Sequence, residues 1–316
     1  MTGARDASVT KAVGYAVAAS LLWALAIILV KIGLEDIPRL TFASLRYVVG
    51  AFTLLVWRMV TVRSTEYKIP ASMWRLLVAL GILLYGIVPA AQFISLDLVE
   101  AVTFNFVFQA GIPLVLALLA GVVLKEATSR WEWLGVAVVV AGIFIFYPAL
   151  PHGDEALGVL LAAVAAMGIG GSNLLQRMVM RGRQITALDA TVIPMTLGSV
   201  GLFIVAMIVE PLPNLGRNEI LLILLLGVVN TALAFTLWHH AMRTLNALHA
   251  GTIASAQTIE VPIFAFLILG ESLTVGRIFG SVVVLAGILI VHYSKARAAR
   301  TRAETDAVSG VGARIK

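Results

Sequence analysis

Charged positions divide the chain into long apolar runs. Nineteen uncharged residues separate Lys11 from Lys31, 21 separate Arg75 from Asp97, and 24 separate Glu100 from Lys125. Similar runs follow between Glu132 and Asp154, Glu155 and Arg177, Asp189 and Glu210, Glu219 and Arg243, and Arg277 and Lys295. Two further apolar stretches are interrupted once each, by Arg46 and by Glu260. A helix that crosses a bilayer needs about 20 mostly apolar residues. The pattern therefore predicts an all-α integral membrane protein with ten transmembrane helices joined by short loops. The first segment has no small-residue cleavage site before Lys31, so it reads as a retained helix rather than a signal peptide.

The second half of the chain resembles the first. GVAVVVAGIFI from Gly135 and GSVVVLAGILI from Gly280 agree at seven of eleven positions at an offset of 145, which also pairs Glu126 with Glu271. Each copy holds five segments, so the second enters the membrane from the opposite side and the repeats are inverted. Many secondary transporters use this arrangement to build a midplane site. The expected organisation is a short cytoplasmic segment (1–11), a first five-helix repeat (12–150), a second (151–294) and a basic tail (295–316).

Composition agrees with this reading. Of the 316 residues, 60% are hydrophobic and 13% charged, and mean hydropathy is +0.99. A disordered chain or an ordinary water-soluble enzyme does not have this balance. With no cysteine, disulfides, thiolate metal sites and cysteine nucleophiles are excluded. Net charge is +6. With both termini cytoplasmic, eighteen of the 23 lysines and arginines fall inside and four outside, which is the bias that orients membrane helices. The basic surplus is thus a topology signal and needs no nucleic acid. The tail reads as a retention charge, with anionic lipid the alternative.

Several features together resemble the EamA family of the drug/metabolite transporter superfamily. They are Trp23 in LLWALAIILVK, Arg46 in ASLRYVVGAF, Pro113 with Glu126 in IPLVLALLAGVVLKE, and Pro262 with Glu271 in VPIFAFLILGE. The resemblance runs from about Val13 to Tyr293. It implies carriage of small metabolites, often amino acids or related compounds, frequently outward. Pro262 stands nine residues before Glu271 whereas Pro113 stands thirteen before Glu126, so the copies are about one turn out of register there.

The candidate site residues are the polar and aromatic groups at mid-depth. A charge inside a span costs about 2.5–3.5 kcal/mol on insertion scales and usually faces protein or water. Glu260 sits mid-span, with Gln257 on its face and Pro262 beside it; it is a substrate-amine ligand, a proton-coupling carboxylate or a structural hydrogen-bond acceptor. Arg46 suits a substrate carboxylate, or else pairs with Glu260 or snorkels to the interface. Asn105 and Gln109 share one face of the fourth segment and Asn230 lies mid-span in the eighth; such amides contact substrate or tie helices together. Tyr85 and Trp23 lie deep enough to stack on a solute or to pack. Trp57, Trp74, Trp131 and Trp133 read as interfacial anchors. Adjacent His239 and His240 point in different directions and make no metal pair. Gly168, Gly170 and Gly171 lack the strand and third glycine of a dinucleotide motif and read as packing residues. The Gly276–Gly280 step is an intramolecular or dimer contact.

The chain thus reads as a secondary transporter of a small organic metabolite, using alternating access, with no cofactor. Protons are a candidate coupling ion, and a homodimer is a candidate assembly. A lipid-modifying enzyme is the second reading, though the clustered acids or histidines such an enzyme uses at an interface are missing from the sequence. A receptor or chaperone is the third. The expected location is the bacterial inner membrane.

Overall fold

A computed structural model describes residues 2–61, 69–122, 129–147, 151–181, 185–186, 188–211, 213–245 and 247–312. Every regular element over those residues is a helix. Ten helices occur among them: α1 Thr2–Gly33, α2 Arg39–Thr61, α3 Ala71–Leu98, α4 Ala101–Val122, α5 Arg130–Phe146, α6 Gly153–Arg181, α7 Asp189–Val209, α8 Arg217–Met242, α9 Ala247–Leu269, interrupted once at Ala256, and α10 Val275–Gly312. Eight are long and apolar enough to cross a membrane. Helix α4 has a shorter apolar run, Ala101–Leu116, and α5 has 17 residues. Glu126, paired with Glu271 in the sequence repeat, falls outside the described residues.

The two halves carry the same features in the same order. Helix α3 contains a π-helical segment at Ile82–Ile87, and α8 contains one at Val228–Leu233. A glycine precedes each, Gly81 and Gly227. Gly81 lies against Gly198 and Pro194 of α7; Gly227 lies against Arg46 and Val49 of α2, close to Gly50. The principal helix contacts also exchange: α1 packs on α8 as α6 packs on α3, and α4 packs on α6 as α9 packs on α1.

The sequence repeat packs on itself. Helix α5 makes its most extensive contact with α10. A Cβ built on Gly287 would lie 2.8 Å from the Gly135 carbonyl oxygen, and one on Gly280 would lie 3.0 Å from that of Gly142. Gly135 thus meets Gly287 and Gly142 meets Gly280, so the two helices run antiparallel with backbones in direct apposition. Close approach through small residues is the usual basis of helix association in lipid, where hydrophobic exclusion gives no drive. The Gly276–Gly280 step is covered by α5 within one chain: Gly276 faces Ile145 and Gly280 faces Phe146. Gly168 and Gly170 also serve packing, against Val88 of α3 and Val115 of α4.

Polar groups fasten the end of the bundle distal to the termini. Helix starts leave backbone N–H groups without partners, and a carboxylate satisfies them well. Glu210, just past α7, accepts from the Leu40 and Thr41 amides at the start of α2 at 2.9 and 2.8 Å. Glu271 accepts from the Ala101 and Val102 amides at the start of α4 at 2.7 and 2.9 Å. Gly270, with φ of 69°, ends α9 in the left-handed region and turns Glu271 back toward α4. Lys31 donates to the Leu96 and Val99 carbonyls at the end of α3. Glu271→Ala orphans two amides; loss of charge-assisted bonds of this kind is expected to cost about 1.5–3 kcal/mol. A fall in melting temperature of the detergent-purified protein, partly recovered by Glu271→Gln, is the expected result; an unchanged melting temperature would show that this cap contributes nothing.

Candidate functional site

Helix α9 is irregular through its middle. It turns at Ala256, between the stretches Ala247–Ser255 and Gln257–Phe264, and finishes in a π-helical segment, Ala265–Leu269. Pro262 has no N–H to give to the preceding turn. These departures from a uniform helix accompany the register difference between Pro262 and Pro113.

The amides of α4 meet the irregular part of α9. Asn105 Nδ2 donates to the Gln257 carbonyl at 2.9 Å, and Gln109 Nε2 to the Ala254 carbonyl at 3.3 Å. Gln257 is held there through its backbone. Glu260 lies three residues beyond Gln257 and faces α1. Ser20 of α1, fully buried, donates its hydroxyl to Glu260 Oε2 at 2.7 Å. Ser20 Oγ also lies 3.4 Å from the Ile253 carbonyl oxygen. A hydroxyl has one proton, so the shorter contact to the carboxylate is the bond made in full. Asn105 Oδ1 and Thr258 Oγ1 are buried here without a hydrogen-bond partner among the described residues.

A second group lies around α2, α3 and α8. Arg46 is buried, and its Nε donates to Thr231 Oγ1 at 3.2 Å; that hydroxyl in turn donates to the Leu226 carbonyl at 2.9 Å. The Arg46 guanidinium lies 5.3 Å from the Tyr47 ring centroid, and Tyr47 meets Tyr85 edge-on at 5.9 Å. Tyr85 and Thr231 both belong to the π-helical segments. These segments add a residue to a turn and are frequent at functional sites.

Helix α1 joins the two groups. Asn230, next to Thr231, donates to the Leu22 carbonyl at 2.6 Å, two residues along α1 from Ser20. The adjacent Trp23 ring lies 5.5 Å from Phe235 and 5.3 Å from Trp238 of α8. The structure thus brings Glu260, Gln257, Asn105 and Gln109 together, sets Arg46 with Tyr85, and places Asn230 and Trp23 between. Arg46 and Glu260 do not pair with each other. The ion pairs seen among the described residues include Arg39 with Asp97, Arg58 with Asp189 and Arg277 with Glu100.

Sequence reasoning missed Ser20 and Thr231. A small hydroxyl in an apolar helix carries no signal of what it faces. It also missed the helix-capping roles of Glu210, Glu271 and Lys31, whose acceptors and donors are backbone atoms of distant helices. Two surface cavities lie away from mid-depth. One, of about 390 Å³ at the distal end, is lined in part by Glu35, Asp36, Arg39, Asp97 and Glu210. The other, of about 370 Å³, lies between α5 and α10.

Comparison with known proteins follows the same division of the chain. The EamA-like transporter family matches twice, over residues 10–147 and 156–293. An uncharacterized transporter of Bacillus subtilis strain 168, YoaV, is 23% identical over 89% of this chain and 96% of its own. A probable amino-acid metabolite efflux pump of Salmonella typhimurium is 24% identical, over 85% of this chain and 90% of its own. A protein of the same description from Escherichia coli K12 is 23% identical over the same shares. One solved crystal structure superposes with a TM-score of 0.64 at 17% identity, covering 91% of this chain and 98% of that one.

Proposed function

Because the chain belongs to the EamA-like transporter family, and so is an integral membrane transporter and not an enzyme, we propose that it exports an amino acid or related metabolite by alternating access. The observation that carries this reading is Glu260: a mid-span carboxylate whose hydrogen-bond partner is a hydroxyl of α1, not a cation. A carboxylate in such a place is available to a proton or to the ammonium group of a solute. Asn105 Oδ1 of α4 and Thr258 Oγ1 of α9 are a further buried acceptor and hydroxyl without a hydrogen-bond partner among the described residues. The efflux pumps named above lend weight to an amino-acid solute.

The proposed topology is ten spans in two inverted five-helix repeats, with both termini in the cytoplasm and the protein in the bacterial inner membrane. The paired π-helical segments, the exchanged helix contacts and the antiparallel α5–α10 pair support it. In this conformation Asn105, Gln109 and Asn230 are engaged with backbone carbonyls. Alternating access would release them to line a cavity. Arg46 with Tyr47 and Tyr85 is the proposed contact for the solute carboxylate, and Trp23 for its side chain. Protons are the proposed coupling ion.

Flux into proteoliposomes tests the reading. Preloaded unlabelled amino acid is expected to draw in the same labelled amino acid, and an imposed pH gradient to drive net movement. An amino-acid panel that gives no exchange at any pH would remove amino acids as the solute class.

A further inference from the structure

The cavity of about 370 Å³ between α5 and α10 has a distinctive lining. Trp131 of α5 and Leu289, Ile290 and Tyr293 of α10 form its apolar walls, and Ser294 and Arg297 its polar end. Its size is within the range of ligand cavities, roughly 300–1,000 Å³. It opens on the perimeter of the bundle, where Trp131 and Tyr293 are exposed. Ser129 and Ser294 are hydrogen-bonded at 2.6 Å, which ties the start of α5 to α10 beside it.

The polar end is cationic. The Arg130 guanidinium lies over the Trp131 ring at 5.9 Å from its centroid, and Arg297 itself lines the cavity. Glu132, the acid nearest in sequence, is buried and is not part of the lining. An apolar trough on a lipid-facing surface, ending in the Arg297 guanidinium, with the Arg130 guanidinium over the flanking Trp131 and Tyr293 on the other wall, matches a phospholipid at headgroup depth. A guanidinium also binds phosphate oxygens in a bidentate fork, and in a zwitterionic headgroup the ammonium offsets the phosphate charge that attracts it. We infer that this groove seats one anionic phospholipid, its acyl chain along Leu289 and Ile290 and its phosphate between Arg130 and Arg297. Charge decides against a second copy of the chain, because an isologous contact here would bring four guanidinium groups to one seam.

Native mass spectrometry of the full-length protein tests this, with added dioleoyl phosphatidylglycerol or dioleoyl phosphatidylcholine. Preferential retention of phosphatidylglycerol is expected. Arg130→Ala and Arg297→Ala should each lower it roughly fivefold, the effect of one basic residue near an anionic surface, and leave phosphatidylcholine retention unchanged. Trp131→Ala should lower retention of both lipids. The exposed substitution Arg297→Gln keeps the test open if an alanine variant does not fold. Equal retention of the two lipids by the unmodified protein would overturn the proposal, as would full phosphatidylglycerol retention by the arginine variants. Stabilisation by inorganic phosphate equal to that by phosphatidylglycerol would overturn the lipid assignment. Leu289→Cys cross-linking to itself in membranes would give the groove to a second copy instead.

Discussion

Glu260→Gln is expected to abolish pH-driven net flux while leaving solute exchange in place. Glutamine has nearly the shape of glutamate and can still accept from Ser20, but it cannot take up and release a proton. If Glu260 alternates between proton and solute ammonium, the variant keeps a way of binding solute and loses the coupling. No ion pair with Arg46 stands in the way, because that side chain donates to Thr231. Neutralising Arg46 should therefore not rescue the variant. Ser20→Ala separates positioning from chemistry: it removes the 2.7 Å bond but leaves the carboxylate. Hydrogen bonds to charged groups contribute about 1.5–3 kcal/mol, so the pH profile of flux should shift while coupling persists. Unstable Glu260→Gln protein restored by Arg46→Gln would show that the pair is structural and the coupling reading is wrong.

Gly142→Val is expected to prevent stable assembly. A Cβ on Gly142 would lie 2.9 Å from the Val284 amide nitrogen and 3.0 Å from the Gly280 carbonyl oxygen. Those are backbone atoms, so no side-chain rotation relieves the overlap and the helices must separate. Overpacking in a core costs about 1–3 kcal/mol, occasionally more. Here the cost is at the upper end, since separating α5 from α10 also opens the Gly135–Gly287 contact. Gly201→Val on α7 is the control: a Cβ there meets nothing within 4 Å. The readout is monodisperse yield after detergent extraction. Equal yield from both variants would show that the α5–α10 seam does not hold the bundle.

The helical architecture was legible because its signals are long. Runs of about 20 apolar residues and a seven-in-eleven glycine-bearing match leave little choice of fold, and the matched segments turn out to pack on each other. Glu260, Asn105 and Gln109 were legible as a group because a polar residue in a span is conspicuous. What they touch was not legible. Asn105, Gln109 and Asn230 each donate to a backbone carbonyl of another helix, and every residue carries a carbonyl, so sequence gives no hint of which one is used. The pairing of Arg46 with Glu260 was suggested by charge alone. Arg46 instead donates through Nε to a threonine in a π-helical turn, and periodicity does not announce such turns.

Those turns at Ile82–Ile87 and Val228–Leu233 set the angular bookkeeping of their helices. An inserted residue rotates everything beyond it by about 100°, the angle of one residue at 3.6 per turn. Helical-wheel faces drawn through α3 or α8 as single rods therefore assign the residues past Tyr85 or Asn230 to the wrong side. A residue-by-residue scan of sensitivity to substitution along either helix would show two sinusoids with a phase step between them, placed just after Gly81 and Gly227.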